Sequence, residues 1–583
     1  MGNNGRASRT EYLYTNWTFQ QLLNYNKEIG DHSIEALVGH EFFSNKYDYQ
    51  YGYKTNQTFA NKYELVNFTD ITSYTGYYAN YAQDSYLSRV KYSYQNRFYG
   101  EASYRLDALS KFAPESRWGS FWSIGGTWVL SKEDFIKNLP WIDNLRYRVS
   151  YGQVGNDGGA GYYAYMGLYT VSEKYGGMTA AYKRQNESLN LVWESENAFS
   201  TALEGRLFDR TNFTLEWFNK TTQDLIFDVP APYSQGGISH SSTEASTTKN
   251  IGSVRNRGIE ITVDHDIIKT KDFSWNFGFN ATMMKNTILK LPEANGYNYD
   301  GLQNAILNGT KLQAEGHGIY DYWMYQWVGV DQMTGNSLYK IDDDKYYILD
   351  ENKTGKAWNQ EKYDATGDVD SSFDEITKDQ VPAKYSTVID GVEYVTNTTY
   401  AKKDWAGSSL PKVFGSFNTT LRYKDFSLSA LFTYALGGKC VDYAYQSLIS
   451  VNQSSPHAYH VDLLKSWSDI PDGMTEDSAN RIDPNGIPRI DSYWNSYSNA
   501  TSTRSLISGN YLVVKNINLS YRLPKKVVSK LDVASITFNA SVENLWSFTA
   551  RKGLNPQQSF SGAVYGYNIN TPRVGTIGVK VNF

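Results

Sequence analysis

The chain has 583 residues, a formal charge of −5 and a mean hydropathy of −0.54, with 46 Gly, only 14 Pro, 49 Tyr and 15 Trp. So mild a charge, with no basic run, excludes an electrostatic nucleic-acid binder. No apolar run of about 18 residues occurs, which excludes a membrane-spanning helix but leaves open a membrane β-barrel, whose strands carry weak hydropathy. A single cysteine, Cys440, leaves no internal disulfide to form. It follows Leu436-Gly437-Gly438-Lys439 at the end of an expected strand and reads as a buried or lumenal free thiol.

Read in chain order, strand-like segments fall at 9–27, 31–53, 85–95, 97–108, 119–129, 145–153, 197–208, 211–227, 255–268, 272–289, 320–330, 411–424, 425–437, 510–522, 534–547 and 573–583. These are about sixteen segments, most near the ~10 residues that a tilted membrane strand needs. Many alternate, and successive strand side chains point to opposite faces. Leu145, Tyr147, Val149 and Tyr151 oppose Arg146, Arg148, Ser150 and Gly152. Ile259, Ile261 and Val263 oppose Glu260, Thr262 and Asp264, and Trp275, Phe277, Phe279 and Ala281 oppose Asn276, Gly278, Asn280 and Thr282. In 513–522, Val513, Ile517, Leu519 and Tyr521 form an apolar face that Lys515 interrupts. Ile536, Phe538, Ala540 and Val542 alternate with polar residues. The last strand sets Ile577, Val579, Val581 and Phe583 against Thr576, Gly578, Lys580 and Asn582.

The expectation is an all-β fold, a transmembrane antiparallel β-barrel. A soluble sheet with one wet face gives the same dyad, so a secreted carbohydrate-binding β-protein stays open as an alternative. Aromatic girdles at the two membrane interfaces account for the many Tyr and Trp in the barrel reading. Lumen-facing charges such as Arg146, Arg148, Glu260, Asp264 and Glu543 then tune selectivity or satisfy one another.

Several neighbouring segments are joined by very short turns, at Asn96, Asp209-Arg210 and Lys424-Asp425. Two connections are long, about 331–409 and 438–508, and unstructured loops of that length are usually functional. Both read as extracellular. Trp405, Trp467, Tyr493, Trp494 and Tyr497 within them are candidate substrate-stacking residues, with packing inside the loops, or against a partner, as their other role. The pattern offers no chemistry of its own. His457 and His460 are spaced i, i+3 without a third ligand. The acidic stretch 342–379 lacks a Ca²⁺-loop pattern, and the Gly-Gly pairs form no phosphate loop. No Gly-x-Ser-x-Gly occurs and the seven His fit no triad. The reading is therefore no enzyme, no cofactor and no metal.

Several strings resemble the SusC/RagA-type TonB-linked outer-membrane proteins. LSRVKYSYQNRFYGEASYRLDALSKFAPESRWGSFWSIGGTWVLSKEDF, Leu87 to Phe135, is similar to that family's stretch, and it runs on into 145–156. NIGSVRNRGIE, Asn250 to Glu260, matches its N-x-G-x-V-x-N-x-G-x-E strand. SGNYLVVKNINLSYRLPKKV at 508–527, VENLW at 542–546 and GLNPQ at 553–557 fit as well. The resemblance implies import of large nutrients, oligosaccharides or peptides, beneath a SusD-like surface lipoprotein lid and driven by the TonB complex. Phe583 would then be the terminal aromatic that signals barrel assembly in outer-membrane lipid. The family also implies 22 strands, a plug domain and an N-terminal TonB-engaging region. With about sixteen strands, no plug segment and no signal peptide at Met1–Arg6, the chain reads as the C-terminal barrel portion of such a protein. A passive porin-like channel is the remaining alternative.

Overall fold

In a computed structural model of the chain, the structure describes residues 4–175, 178–230, 237–238, 243–244, 246–292, 297–299, 302–342, 346–349, 357–358, 361–362, 373–376, 381–451, 458–490, 499–531, 533–558, 561–565 and 570–583. The largest sheet contains fifteen strands taken in chain order. These are β1 Arg6–Ile29, β2 His32–Gln57, β3 Phe68–Tyr94, β4 Phe98–Leu109, β5 Trp118–Val129, β6 Ile142–Asn156, β7 Glu194–Leu207, β8 Thr211–Gln223, β9 Ser253–Lys269, β10 Phe273–Lys290, β11 Val413–Tyr423, β12 Phe426–Leu436, β13 Tyr511–Arg522, β14 Ser535–Thr549 and β15 Val574–Asn582. Each overlaps one of the sixteen expected segments, although β3 begins at Phe68 where the expected segment began at 85. The chain forms two compact units, one of Met1–Asn138, Leu145–Ala202 and Asn219–Ser253, the other of Leu139–Asn144, Leu203–Phe218 and Val254–Phe583.

In the first unit β1 to β6 form an antiparallel meander whose registers sort residues by chemistry. One row across the six strands reads Tyr25, Ala36, Val90, Ala102, Ile124, Tyr151. The adjacent row, one residue along, reads Asn26, Glu35, Lys91, Glu101, Gly125, Ser150. The second unit repeats this from β10 to β15, with Trp275, Leu421, Leu428, Leu519, Ala540 and Ile577 in one row. Asn276, Thr420, Ser429, Asn518, Ser541 and Thr576 make up the next. The apolar rows stay solvent-accessible: Val90 is 48% and Ile577 88% exposed. A soluble sheet buries its apolar face; here that face lies bare, as a lipid-facing wall requires.

Tight turns close one end of the strands. Gly30, the pair Gln95 and Asn96, the pair Phe208 and Asp209, and Lys424 all adopt positive φ, the left-handed geometry that two-residue hairpins demand. Aromatic pairs flank this end on the apolar face, Phe98 with Trp128 at 6.1 Å in the first unit and Trp141 with Phe208 at 5.8 Å in the second. The Lys515 interruption is a β-bulge. Leu431 pairs Asn516 and Phe432 pairs Val514, so Lys515 is the inserted residue against β12, whereas against β14 the extra residue falls between Glu543 and Trp546. Its Nζ donates to Asn544 Oδ1 at 2.9 Å, where Asn544 itself holds φ +51°. The bulge puts Val514 rather than Val513 on the apolar face, which corrects the alternation expected from Val513.

Segment 320–330 is not a strand of the large sheet. It divides into the short strands Asp321–Tyr325 and Trp327–Asp331, in two smaller sheets. Tyr322, Trp323, Met324 and Val330 are all buried, so this stretch is buried on both faces and its aromatic run carries no lipid-facing dyad. Among the described residues, both long connections carry short strands. Trp327–Asp331 pairs with Ser337–Lys340 from the first connection and with Ile482–Asp483 from the second, which joins the two in one sheet. Cys440 is buried beside Leu554 and Val564. Burial, with Asp442 close by, pushes its thiol up to about 12.

Candidate substrate-binding surface

β1, β2 and β3 are 24, 26 and 27 residues long. At ~3.3 Å per residue they reach ~80–90 Å, whereas a bilayer crossing takes about 9–11 residues. Counted from the short Gly30–Asp31 turn, the surplus falls at the opposite end, toward the 58–67 connection; in bacterial barrels short turns lie on the periplasmic side.

The polar face of this wall carries an ordered strip. Deepest is a charged network. Arg105 Nε donates to Asp107 at 2.7 and 2.9 Å, and its Nη2 donates to Ser85 Oγ at 3.0 Å and to Glu41 at 3.3 Å. Above it Phe43 meets Tyr81 at 5.7 Å. Asn45, buried, donates to Asn16 Oδ1 and accepts from the Tyr162 hydroxyl at 3.3 Å. Higher still, tyrosines alternate along the strands and so share one face: Tyr12 and Tyr14, Tyr47 and Tyr49, and Tyr77. Tyr14 lies 4.9 Å from Tyr47, Tyr12 5.3 Å from Tyr49, and Tyr77 5.1 Å from Tyr49. Desolvation within the cluster, followed by the neighbouring hydroxyls, holds Tyr47 and Tyr49 above the usual tyrosine range, so both stay neutral.

A loop closes over this strip. Leu109, Phe112, Ala160, Ala164 and Leu191 form its small core, with Tyr81 and Trp193 packed against it. Lys111 Nζ pairs with Asp157 at 2.7 Å and lies 4.9 Å from the Tyr81 ring centroid. The loop places Tyr162 and Tyr163 opposite the wall, and the Tyr163 hydroxyl donates to Asn80 Oδ1 at 3.2 Å. Between wall and loop lies a cleft of about 410 Å³, lined by Tyr14, Tyr47, Tyr77, Tyr78, Ala79, Tyr162 and Tyr163.

None of these tyrosines was among the residues singled out from the sequence. The usable signal is the i, i+2 spacing in Tyr12-Leu13-Tyr14 and in Tyr47-Asp48-Tyr49-Gln50-Tyr51, which puts the rings on one strand face. The expected candidates lie in the second unit. Trp405 stacks on His317 at 3.7 Å and meets Trp323 edge-on at 5.1 Å, against a small core of Ala305, Leu312 and Ala314. Trp467 donates from Nε1 to Gln332 O at 2.9 Å, and its ring covers Gly335, where an added Cβ would lie 2.2 Å from the indole. Tyr493, Trp494 and Tyr497 lie outside the described residues, as does His457. His460 Nδ1 accepts from the Asp462 backbone N–H at 3.1 Å. Among the described residues, no group of three His, Cys, Asp or Glu could hold a metal. Phe583 follows β15 and is 95% exposed.

Beneath the loops of the second unit, Arg481 Nε donates to Asp331 Oδ1 at 2.9 Å and Nη2 to Oδ2 at 3.3 Å, with both residues buried. Burial alone would raise the Asp331 carboxyl, but Arg481, Thr334 and the Met333 N–H hold it below the usual range.

A family model described as TonB dependent receptor-like, beta-barrel, matches residues 1–371. TonB-dependent receptor P39 of Formosa agariphila is 26% identical over 575 residues, 95% of this chain and 51% of that protein. TonB-dependent receptor SusC of Bacteroides thetaiotaomicron is 28% identical over 333 residues, 55% of this chain and 32% of that protein. The solved structure of the RagAB peptide transporter shares the fold with a TM-score of 0.75 at 22% identity, over 99% of this chain and 56% of that one. The chain spans about half the length of the curated relatives P39, P3 and P26. With lipid-ready apolar rows, polar rows beside them and this match over more than half its length, the chain belongs to the TonB-dependent receptor β-barrel family of the bacterial outer membrane.

Proposed function

We propose that the chain forms the barrel wall of an importer that takes up large nutrients, oligosaccharides or peptides, in a TonB-dependent cycle beneath a SusD-type surface lipoprotein. The observation that carries this reading is the polar strip of β1 to β3, which runs from the Arg105 network up to a tyrosine-lined cleft beyond the bilayer. Such a strip can take a ligand at the exterior and hand it to a hydrated wall. The wall itself binds and orients; the work comes from TonB. Trp405, Trp467, Tyr493, Trp494 and Tyr497 are proposed as further substrate contacts through whatever ring surface the loops leave bare, and Phe583 as the barrel-assembly signal.

Uptake of fluorescently labelled oligosaccharide and peptide pools, measured in the native host with and without this gene and with and without tonB, tests the reading. Uptake lost in both deletions supports it. Uptake that needs the gene but not tonB makes the protein a passive channel, and uptake indifferent to the gene removes the import role. Co-purification of a surface lipoprotein checks the lid.

A further inference from the structure

At the end of the second unit's wall opposite the Lys424–Asp425 turn lies a small polar pocket. β14 pairs with β15 only over Ser535–Glu543. From Asn544 on, β14 faces the connection that leads back to β15, and Asn544 Nδ2 donates to Pro572 O there at 3.1 Å. The space between them, about 150 Å³, is lined by Asn544, Asn555, Gln557, Asn570, Thr571 and Arg573 around Trp546, and no carboxylate lines it. We propose that this pocket takes the phosphorylated sugar headgroup of an outer-leaflet glycolipid, with its phosphate on Arg573 and its sugar hydroxyls on Gln557 and Thr571. The site rests on the wall's place in the membrane and not on the import reading.

The pocket sits at a lipid boundary. Beside the short turn Phe426 stacks on Tyr521 at 4.3 Å, and the same face of β12 continues through Phe432 to Tyr434. Register carries those two rows through Val514 to Trp546 and through Leu512 to Phe548. Phe426 to Tyr434 is nine residues, and a crossing takes about 9–11. Trp546 and Phe548, 53% and 55% exposed, therefore stand where a barrel sets its second aromatic girdle. Short turns mark the periplasmic side, which leaves this girdle at the outer leaflet. The chemistry agrees with that place. The Arg573 guanidinium lies 5.3 Å from the Trp546 ring and, among the described residues, meets no carboxylate. A phosphate matches its paired N–H groups. Several amides are used within the pocket itself: Asn570 Nδ2 donates to Gly553 O at 3.0 Å, Asn555 Nδ2 to Thr571 Oγ1 at 3.4 Å, and Lys515 Nζ to Asn544 Oδ1 at 2.9 Å. These bonds hold the walls, and the Gln557 carboxamide and the Thr571 O–H remain for a polyhydroxylated ring. About 150 Å³ is less than the ~300–1,000 Å³ that encloses a free small ligand. It suits one corner of an amphiphile whose acyl chains stay in the bilayer.

The test uses the receptor purified from its host's outer membrane, stripped of lipid by detergent exchange, with native mass spectrometry reading the lipid it retains. The probes are diphosphorylated lipid A, its dephosphorylated form, phosphatidylglycerol and inorganic phosphate. Diphosphorylated lipid A should bind saturably, one to a chain. The Arg573→Ala/Gln557→Ala pair should weaken it about tenfold or more, as loss of hydrogen bonds to a charged group does, while Arg573→Lys keeps more of it. Heat-modifiable migration on gels verifies that each variant is folded. The proposal is overturned if lipid A does not bind, if the alanine pair binds like the parent, or if the dephosphorylated form binds as well as the phosphorylated one. Displacement by an equal concentration of phosphatidylglycerol would make this a general headgroup contact, and displacement by millimolar inorganic phosphate a free-anion site. Either result removes the glycolipid assignment.

Discussion

Tyr77 lies 5.9 Å from Tyr47 on the neighbouring strand and is 55% exposed, whereas Trp405 lies 3.7 Å from His317 with its edge closed by Trp323. The tyrosines of the first unit sit on long strands held by the backbone ladders that join β1 and β3 to β2, so their rings stay available. The tryptophans of the second unit sit in long connections that must build small cores of their own, so their rings are used for packing. An aromatic in a long loop is thus weaker testimony for ligand contact than an aromatic repeated at i, i+2 on a projecting strand.

That contrast can be broken most strongly at Arg481. Arg481→Ala leaves Asp331 buried without its partner, at a cost of ~3–5 kcal/mol. Hydrogen exchange and protease sensitivity should rise across 327–340 and 461–490, with heat-modifiable migration of the barrel retained. Loss of the whole barrel would show that loops and wall do not separate as described. On the wall, Val90→Arg places a charge in the apolar row and should cost ~2–4 kcal/mol if it lies near the midplane, whereas Lys91→Ala on the polar face should change little; urea unfolding in bilayers reads the difference. Trp405→Ala should cost about 2–3 kcal/mol, less than the ~3–5 of a fully buried Trp, seen as faster exchange over 305–323. If it instead abolishes ligand binding with exchange unchanged, its role is contact rather than packing.

Tyr77→Ala is expected to leave stability within about 0.5 kcal/mol, as surface substitutions do, which sharpens the contrast with Trp405. A pH dependence is expected at Lys311, whose amine burial lowers to about 8. Its Nζ donates to Ser409 Oγ at 3.2 Å and to Ser561 O, and lies 4.7 Å from the Tyr320 ring. The folded chain then binds fewer protons than the unfolded one between about 8 and the ordinary lysine value near 10.5, so local stability should rise with pH across that window and stay flat below it. Exchange at 311–322, corrected for the intrinsic rate, should slow as pH climbs from 8 to 10. Acceleration would show that the charged amine is the stabilising form.

Alternation in the sequence located fifteen strands of the large sheet, because a wall between lipid and water forces opposite chemistry on successive residues and writes that demand into every strand. It failed at 320–330, where burial on both faces removes the dyad, and at Lys515, where one inserted residue shifts the register. Cys440 was legible as a thiol without a partner, and its burial became visible only beside Leu554 and Val564.

The sequence alone therefore determined the fold class, the place of most strands and the opposed faces of several, all of which depend on nearest-neighbour periodicity along the chain. Only the tertiary structure decided that Trp405 and Trp467 are packed, that Asp331 meets Arg481 across 150 residues, and that Tyr14, Tyr47, Tyr77 and Tyr162 converge on one cleft. Those meetings depend on register and loop closure between distant segments, and no local pattern encodes them.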